Sequence, residues 1–226
     1  MTGYFGKVST HGDFVTRRLP AALVAAWDDW LQGCLQASRA QLGAAWLEHY
    51  LTSPVWRFAI APGVLAPEGL GGVMMPSVDR VGRYFPLMIA ATGAPSLLDW
   101  LQRHGDWFKA IDVLARASLD AAFTLERFDA APQPALACGE VAAAVAAPAW
   151  RFALGGDMTD TVAGVALHGH SLWWSEGAPG IDASLLVCRG MPQPESFAAM
   201  LDGSWAASGW ELPGVAPTAR SAPAPR

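Results

Sequence analysis

The stretch that decides the fold is Gly72-Val-Met-Met-Pro-Ser-Val-Asp-Arg-Val-Gly-Arg-Tyr-Phe-Pro-Leu87. An apolar run breaks at Pro76 into polar and charged residues, and the chain becomes apolar again at Tyr84. Pro76 and Pro86 fix their own φ angles and lack a backbone donor, whereas Gly82 can adopt a positive φ. The pattern therefore predicts two strands that flank a rigid charged connection, defined here as residues 76–86. A connection held in one shape is suited to recognition.

The polar side chains of the charged connection are candidates for partner binding. We expect Asp79 to pair with an arginine, Arg80 or Arg83, and so to pin the connection. An arginine held by a local carboxylate still has donors for a carboxylate or phosphate of a partner. Arg17 and Arg18 could extend this polar surface. The candidate binding or motif residues are Asp13, Arg17, Ser77, Asp79, Arg80, Arg83 and Trp174.

Two other segments accompany the connection: Gly3-Tyr-Phe-Gly-Lys-Val-Ser-Thr-His-Gly-Asp-Phe-Val-Thr-Arg-Arg-Leu-Pro20 and Ser53-Pro-Val-Trp-Arg-Phe-Ala59. With Trp-rich helical sequence between them, the three segments follow one another in the order typical of the TagF (ImpM) family of type VI secretion-associated proteins. The chain resembles this family over roughly residues 3 to 90. It departs from the family pattern at Ser9, where a proline is common.

The resemblance implies both a fold and a function. The family points to a three-layer α/β/α arrangement. Proteins similar to TagF act after translation to hold type VI secretion inactive by engaging the forkhead-associated (Fha) scaffold protein of that system. The implied mechanism is sequestration of the Fha protein, which requires no cofactor.

The composition describes an apolar, weakly charged protein. Of its 226 residues, 52% are hydrophobic and 15% are charged, and the mean hydropathy is +0.24. Since tryptophan is enriched at interface anchors, we expect some of the eleven tryptophans to mark a partner surface. A net charge of −5 and a pI near 5.4 give no reason to expect nucleic acid or anionic lipid as partner. We expect a cytoplasmic protein without membrane insertion.

The predicted elements alternate between helices and strands. The spacing of Leu23, Trp27, Leu31 and Cys34 predicts a helix that starts at Pro20. Helices before, between and after strands predict an α/β fold, a three-layer α/β/α sandwich with a mixed sheet. Residues 1–212 are predicted to form one domain, and 213–226 a disordered tail rich in proline and alanine. Residues 129–149 are compatible with a helix or a loop.

None of the candidate motifs forms a convincing reaction centre. Gly6-Lys7 lacks the other residues of a phosphate-binding loop. Ser9, His11 and Asp13 alternate as a proton relay could, yet no Gly-x-Ser-x-Gly elbow occurs, and a turn explains them better.

His168 and His170 could bind a metal if Cys188 or Asp182 completed the set, but two histidines make a weak metal signal. We therefore predict no catalytic, cofactor or metal site and a protein that is not an enzyme. A hydrolase, a metal-dependent enzyme and a structural accessory subunit of the secretion apparatus remain alternatives.

Overall fold

The computed structural model of the protein describes residues 1–93, 96–134 and 166–211. Several predictions fall outside these ranges. They are the strand at 150–154, most of the strand at 162–167, most of the segment 129–149 and the tail at 213–226.

Seven strands form one sheet in the order β2-β1-β5-β4-β3-β6-β7. Their bounds are β1 Thr2–Gly6, β2 Val15–Arg17, β3 Trp56–Ile60, β4 Leu70–Met75, β5 Leu87–Thr92, β6 His170–Ser175 and β7 Ser184–Arg189. Every pairing among these strands is antiparallel, so the expected mixed sheet is corrected to an antiparallel one. Four of the six pairings join strands that follow each other in the chain, and only β1 with β5 and β3 with β6 are not consecutive.

The helices of the described ranges are α1 Ala21–Leu42, α2 Trp46–Thr52, α3 Leu97–Arg103, α4 Gly105–Ala117, α5 Glu126–Asp129 and α6 Ala199–Asp202. The predicted apolar face of α1 is confirmed, since Leu23, Trp27, Leu31 and Cys34 are all buried. This helix continues to Leu42. No helix in the described parts of the chain is both long enough and apolar enough to cross a membrane.

Two buried cores lie on opposite faces of the sheet, because neighbouring side chains of a strand point to opposite faces. In β5, Met88 belongs to the core that contains α1 and α2, whereas Leu87 and Ile89 belong to the core that contains α3 and α4. Helices thus cover both faces. The α/β class and the three-layer arrangement are confirmed.

The charged connection joins β4 to β5 as predicted. The two strands pair from Leu70 opposite Thr92 to Met75 opposite Leu87, and a bridge between Val78 and Tyr84 extends the pairing into the connection. The connection therefore leaves the sheet as the tip of a hairpin.

Candidate functional site

Asp79 lies at the centre of the charged connection, and its side chain is completely buried. Its Oδ1 accepts hydrogen bonds from the N–H groups of Val81 at 3.0 Å and Arg83 at 2.9 Å. Its Oδ2 accepts from Lys7 Nζ at 2.5 Å and from Arg83 Nε at 2.7 Å. The positive φ of Gly82, 87°, closes the turn around the carboxylate. The prediction that Asp79 pairs with an arginine and pins the connection is confirmed.

These donors decide the ionisation of Asp79. Burial by itself would raise the pKa of the Asp79 carboxyl, because a charge is poorly solvated there. The hydrogen bonds from Lys7 and from the side chain and backbone of Arg83 outweigh burial and hold the pKa well below its usual range. Asp79 is therefore a fixed anion that organises cations and N–H groups around it.

Lys7 is the site residue that sequence reasoning missed. It follows β1 directly, and only 4% of it is exposed. Its ammonium nitrogen contacts Asp79 and lies 4.9 Å from the ring centre of Phe14. The signals available in the sequence were a lysine directly after β1 and a carboxylate in the charged connection. Their contact becomes visible only because β1 and β5 are neighbours in the sheet.

Ser77 is also buried and ties the connection to β1. Its Oγ donates to the carbonyl oxygen of Lys7 at 2.7 Å, and its backbone is hydrogen-bonded to the hydroxyl of Tyr50 in α2. Ser77 is therefore placed to hold the connection rather than to contact a partner directly.

The two arginines of the charged connection differ in their contacts. The side chain of Arg83 is 56% exposed although it binds Asp79, and its Nη2 donates to the carbonyl oxygen of Gly12. Arg80 is exposed, and its side chain has no hydrogen bond or ion pair to any described residue. Its backbone N–H donates to the carbonyl oxygen of His11 at 2.9 Å. The connection therefore presents two guanidinium groups on a backbone that is anchored at several points.

Asp13 and Arg17 lie near this surface but are not part of the Asp79 cluster. Asp13 is exposed, and its Oδ1 accepts from the N–H of Phe14 at 2.8 Å. Arg17 in β2 pairs with Asp129 at 3.0 Å, as does Arg18 at 3.2 Å.

Trp174 is half-buried rather than exposed. Its ring packs edge-on against Phe108 of α4 at 4.8 Å, on the face opposite to the fully buried Trp173. Neighbouring residues of a strand point to opposite faces, which accounts for the difference between the two rings. Of the ten tryptophans in the described ranges six are buried and four, Trp174 among them, are half-buried. That some of them mark a partner surface stays a prediction.

The side chains of the suggested proton relay have separate partners. Ser9 Oγ donates to the carbonyl oxygen of Ser118 at 2.9 Å, and His11 Nδ1 lies 3.0 Å from Thr10 Oγ1. No hydrogen bond joins Ser9, His11 and Asp13 to one another in the described structure. These contacts favour the turn interpretation over a nucleophile with an oriented base.

The suggested metal ligands also lie apart. His170 is opposite Arg189 in the pairing of β6 with β7, whereas Cys188 is opposite Ser171 and belongs to the core on the other face. Burial raises the pKa of the Cys188 thiol to about 11, so it is a thiol at neutral pH. The residues that the structure describes contain no group of three or more His, Cys, Asp or Glu side chains that could hold a metal ion.

Residues 3–134 match the family model described as the TagF N-terminal domain, type VI secretion system-associated. This match covers more than half of the chain. The chain belongs to the TagF family. The match includes the charged connection, Lys7 and the Trp-Arg-Phe strand.

A solved structure extends the likeness of this TagF-family chain beyond residue 134. The crystal structure of PA0076 from Pseudomonas aeruginosa PAO1 is 36% identical and superposes with a TM-score of 0.82. The alignment covers 96% of this chain and 99% of that chain. No curated protein matches the sequence.

Proposed function

We propose that this TagF-family protein is a post-translational negative regulator of type VI secretion that binds the Fha scaffold protein in the cytoplasm. The observation that carries the proposal is the charged connection, in which buried Asp79 fixes a loop that presents Arg80 and Arg83. The membership of the chain in a type VI secretion-associated family supports the biological setting.

The buried anchors give this loop the properties of a binding surface. Because four donors hold Asp79, the loop loses little conformational freedom when a partner binds, and less affinity is lost to ordering. Arg80 has all its guanidinium donors available to groups outside the described chain. Arginine is enriched among the interface residues that dominate binding energy, and its planar fork matches a carboxylate or phosphate.

The proposed mechanism is sequestration. Binding occupies the Fha protein and keeps it from the assembling secretion apparatus, so repression depends on the affinity and concentration of the two proteins. This mechanism needs neither a cofactor nor a reaction centre. Secretion should resume when the regulator is removed or its binding surface is damaged.

The test compares Arg80→Ala and Arg83→Ala with Arg189→Ala. Arg189 is an exposed arginine on β7, an edge strand that is not adjacent to β4 or β5, and is a matched control. Calorimetric titration of purified Fha protein should show that loss of Arg80 or Arg83 weakens binding by about 2 kcal/mol, roughly thirtyfold, while the control binds as the parent does. Secretion in cells should rise for Arg80→Ala and Arg83→Ala and stay at the parent's level for Arg189→Ala.

Two results would contradict the proposal. Lack of binding between the parent protein and Fha would remove the proposed partner. Unchanged affinity of both arginine variants would mean that the charged connection is structural only. Recovery of the protein in fixed stoichiometry with the envelope complex of the secretion apparatus would instead support the alternative that it is a structural accessory subunit.

A further inference from the structure

An apolar groove opens between the N-terminal edge of the sheet and the first turns of α1. Its volume is about 420 Å³. Apolar side chains form most of its lining, with two polar ones among them; the residues that matter here are Phe5, Phe14, Thr16, Leu19, Val24 and Asp28. The groove is separate from the guanidinium groups of the charged connection.

The sheet edge keeps this groove open. Strand β2 has only three residues and pairs with β1, and among the described strands none pairs with its outer edge. Phe14, just before β2, stacks on Phe5 at 5.5 Å and meets Phe85 edge-on at 4.9 Å, yet 42% of Phe14 remains exposed. Phe5 and Phe85 therefore hold the ring of Phe14 in place, and its exposed part forms one wall of the groove.

Asp28 gives the groove its chemical character. Its Oδ2 accepts a hydrogen bond from Gln32 Nε2 at 2.7 Å, one turn further along α1. Its Oδ1 is shielded from solvent and has no hydrogen-bond donor among the described residues. A shielded carboxylate oxygen without a donor is unfavourable, because water is lost and nothing replaces it. The groove thus has room for apolar groups and is lined by a carboxylate that has one hydrogen-bond donor among the described residues.

We propose that this groove binds a basic side chain, lysine or arginine, presented by a partner protein. The apolar stem of such a side chain would pack against Phe5, Phe14 and Val24, and its charged head would pair with the carboxylate of Asp28, which lines the groove. Long basic side chains combine an apolar stem with a cationic head in this way. The net charge of −5 also favours approach of a basic segment. This second surface does not depend on the identity of the partner proposed above.

One feature of the groove favours the opposite charge. Ala21, which also lines it, begins α1, and the free N–H groups of a helix N-terminus attract anions. A test must therefore compare a cation with an anion on the same apolar stem.

The first experiment follows backbone amide signals of the full chain by NMR during titration. The probes are n-hexylammonium and hexanoate, then a pentapeptide Ac-Gly-Gly-Lys-Gly-Gly-NH2 and its acetyl-lysine counterpart. We expect n-hexylammonium and the lysine peptide to shift signals of Phe14, Val24 and Asp28 saturably, at least about fivefold more tightly than the uncharged or anionic probe. Asp28→Asn, nearly isosteric, should remove that preference. Equal binding of hexanoate, or an unchanged preference in Asp28→Asn, would overturn the proposal.

The second experiment fills the groove. Ala25, an exposed groove residue of α1, is replaced by tryptophan, and Ala22→Trp at an exposed position outside the groove lining is the control. Ala25→Trp should lower probe affinity at least about fivefold, while Ala22→Trp should not. Equal effects would overturn the assignment to this groove. Concentration-dependent dimerisation that Ala25→Trp abolishes would also overturn it, since a second copy would then be the occupant.

Discussion

The hydroxyl of Tyr50 donates to the carbonyl oxygen of Ser77 at 2.8 Å and accepts from the N–H group of the same residue at 2.9 Å. One side chain of α2 thus takes the place of a strand neighbour for the N–H group of Ser77, whose carbonyl oxygen also accepts from the N–H of Phe85 at 3.1 Å. We expect Tyr50→Phe to leave the N–H group of Ser77 buried and unpaired, at about 1 to 3 kcal/mol. Urea unfolding should show a lower midpoint with an unchanged slope.

Tyr84→Phe is the matched control for that change. Tyr84 is half-buried near Tyr50, with ring centres 5.8 Å apart, but its hydroxyl has no hydrogen bond to the described residues. Removal of this hydroxyl should alter stability by less than about 0.5 kcal/mol. Equal losses in the two variants would show that the backbone contacts of Tyr50 are not what stabilises the connection.

The two cations that contact Asp79 should differ in their effect on stability. Lys7 is 4% exposed, so Lys7→Met leaves a buried carboxylate with fewer partners and should cost about 3 kcal/mol. The Arg83 side chain is 56% exposed, so Arg83→Ala should cost no more than about 1 kcal/mol. Denaturant unfolding of both variants shows which of them loses more stability. A larger loss for Arg83→Ala would contradict the assignment of Lys7 as the buried anchor.

Stability should fall with acid in a way that depends on Asp79. The pKa of this carboxyl is held below its usual range in the folded protein, whereas the unfolded chain has the ordinary value of about 3.9. Below that value the unfolded state binds a proton that the folded state does not, so stability decreases as the pH falls towards the folded pKa. Above it, this contribution is fully present.

Urea midpoints at pH 5 and pH 3 test this dependence. Asp79 alone can change the unfolding equilibrium constant by up to about tenfold per pH unit within the window. The parent should therefore lose more stability between the two pH values than Asp79→Asn does, although the variant is less stable at pH 5. Parallel losses in both proteins would exclude Asp79 as the source.

Close packing on the sheet makes Gly71 sensitive to substitution. A Cβ atom there would lie 2.5 Å from the indole of Trp100, whereas one at Gly105 would meet no atom within 4 Å. Gly71→Ala should destabilise the protein by about 1 to 3 kcal/mol through overpacking. Gly105→Ala, at the first position of α4, should be neutral or stabilise by up to about 1 kcal/mol. Calorimetric melts can compare them.

The predicted domain organisation can be tested by truncation. A chain that ends at residue 213 should unfold in one transition and melt with the full chain, since the removed residues are rich in proline and alanine and offer little apolar burial. A fall in Tm of more than about 5 °C, over 1 kcal/mol for a chain of this size, would indicate that the removed residues contribute to the fold.

Local sequence patterns predicted much of the fold. The period of apolar residues predicted α1. Ser96 is a typical residue before a helix, and its hydroxyl accepts from the N–H of Asp99 at 3.0 Å at the start of α3. Glycine is unfavourable inside a helix, and Gly105 lies where α3 gives way to α4. Strand direction was not predictable, because a helical crossover can return the chain to a parallel or an antiparallel neighbour. That choice depends on which strands become adjacent across the whole sheet.

Only the local part of the candidate site was predicted from the sequence. Asp79 and Arg83 are four residues apart, so their pairing follows from the turn that Gly82 permits. Lys7 is 72 residues away from Asp79, and Tyr50 is 27 residues from Ser77. Such contacts depend on tertiary packing, which no local motif records.

The two-sided core also has an optical consequence. On one face the indoles of Trp27, Trp30 and Trp173 lie 5.1 to 6.2 Å apart, and on the other Trp100 and Trp107 lie 5.2 Å apart. Indole rings this close couple their electronic transitions, which produces strong near-ultraviolet circular dichroism. A Trp→Phe change in one of these clusters reduces that layer's contribution, so the assembly of each helical layer on the sheet can be followed separately without an added label.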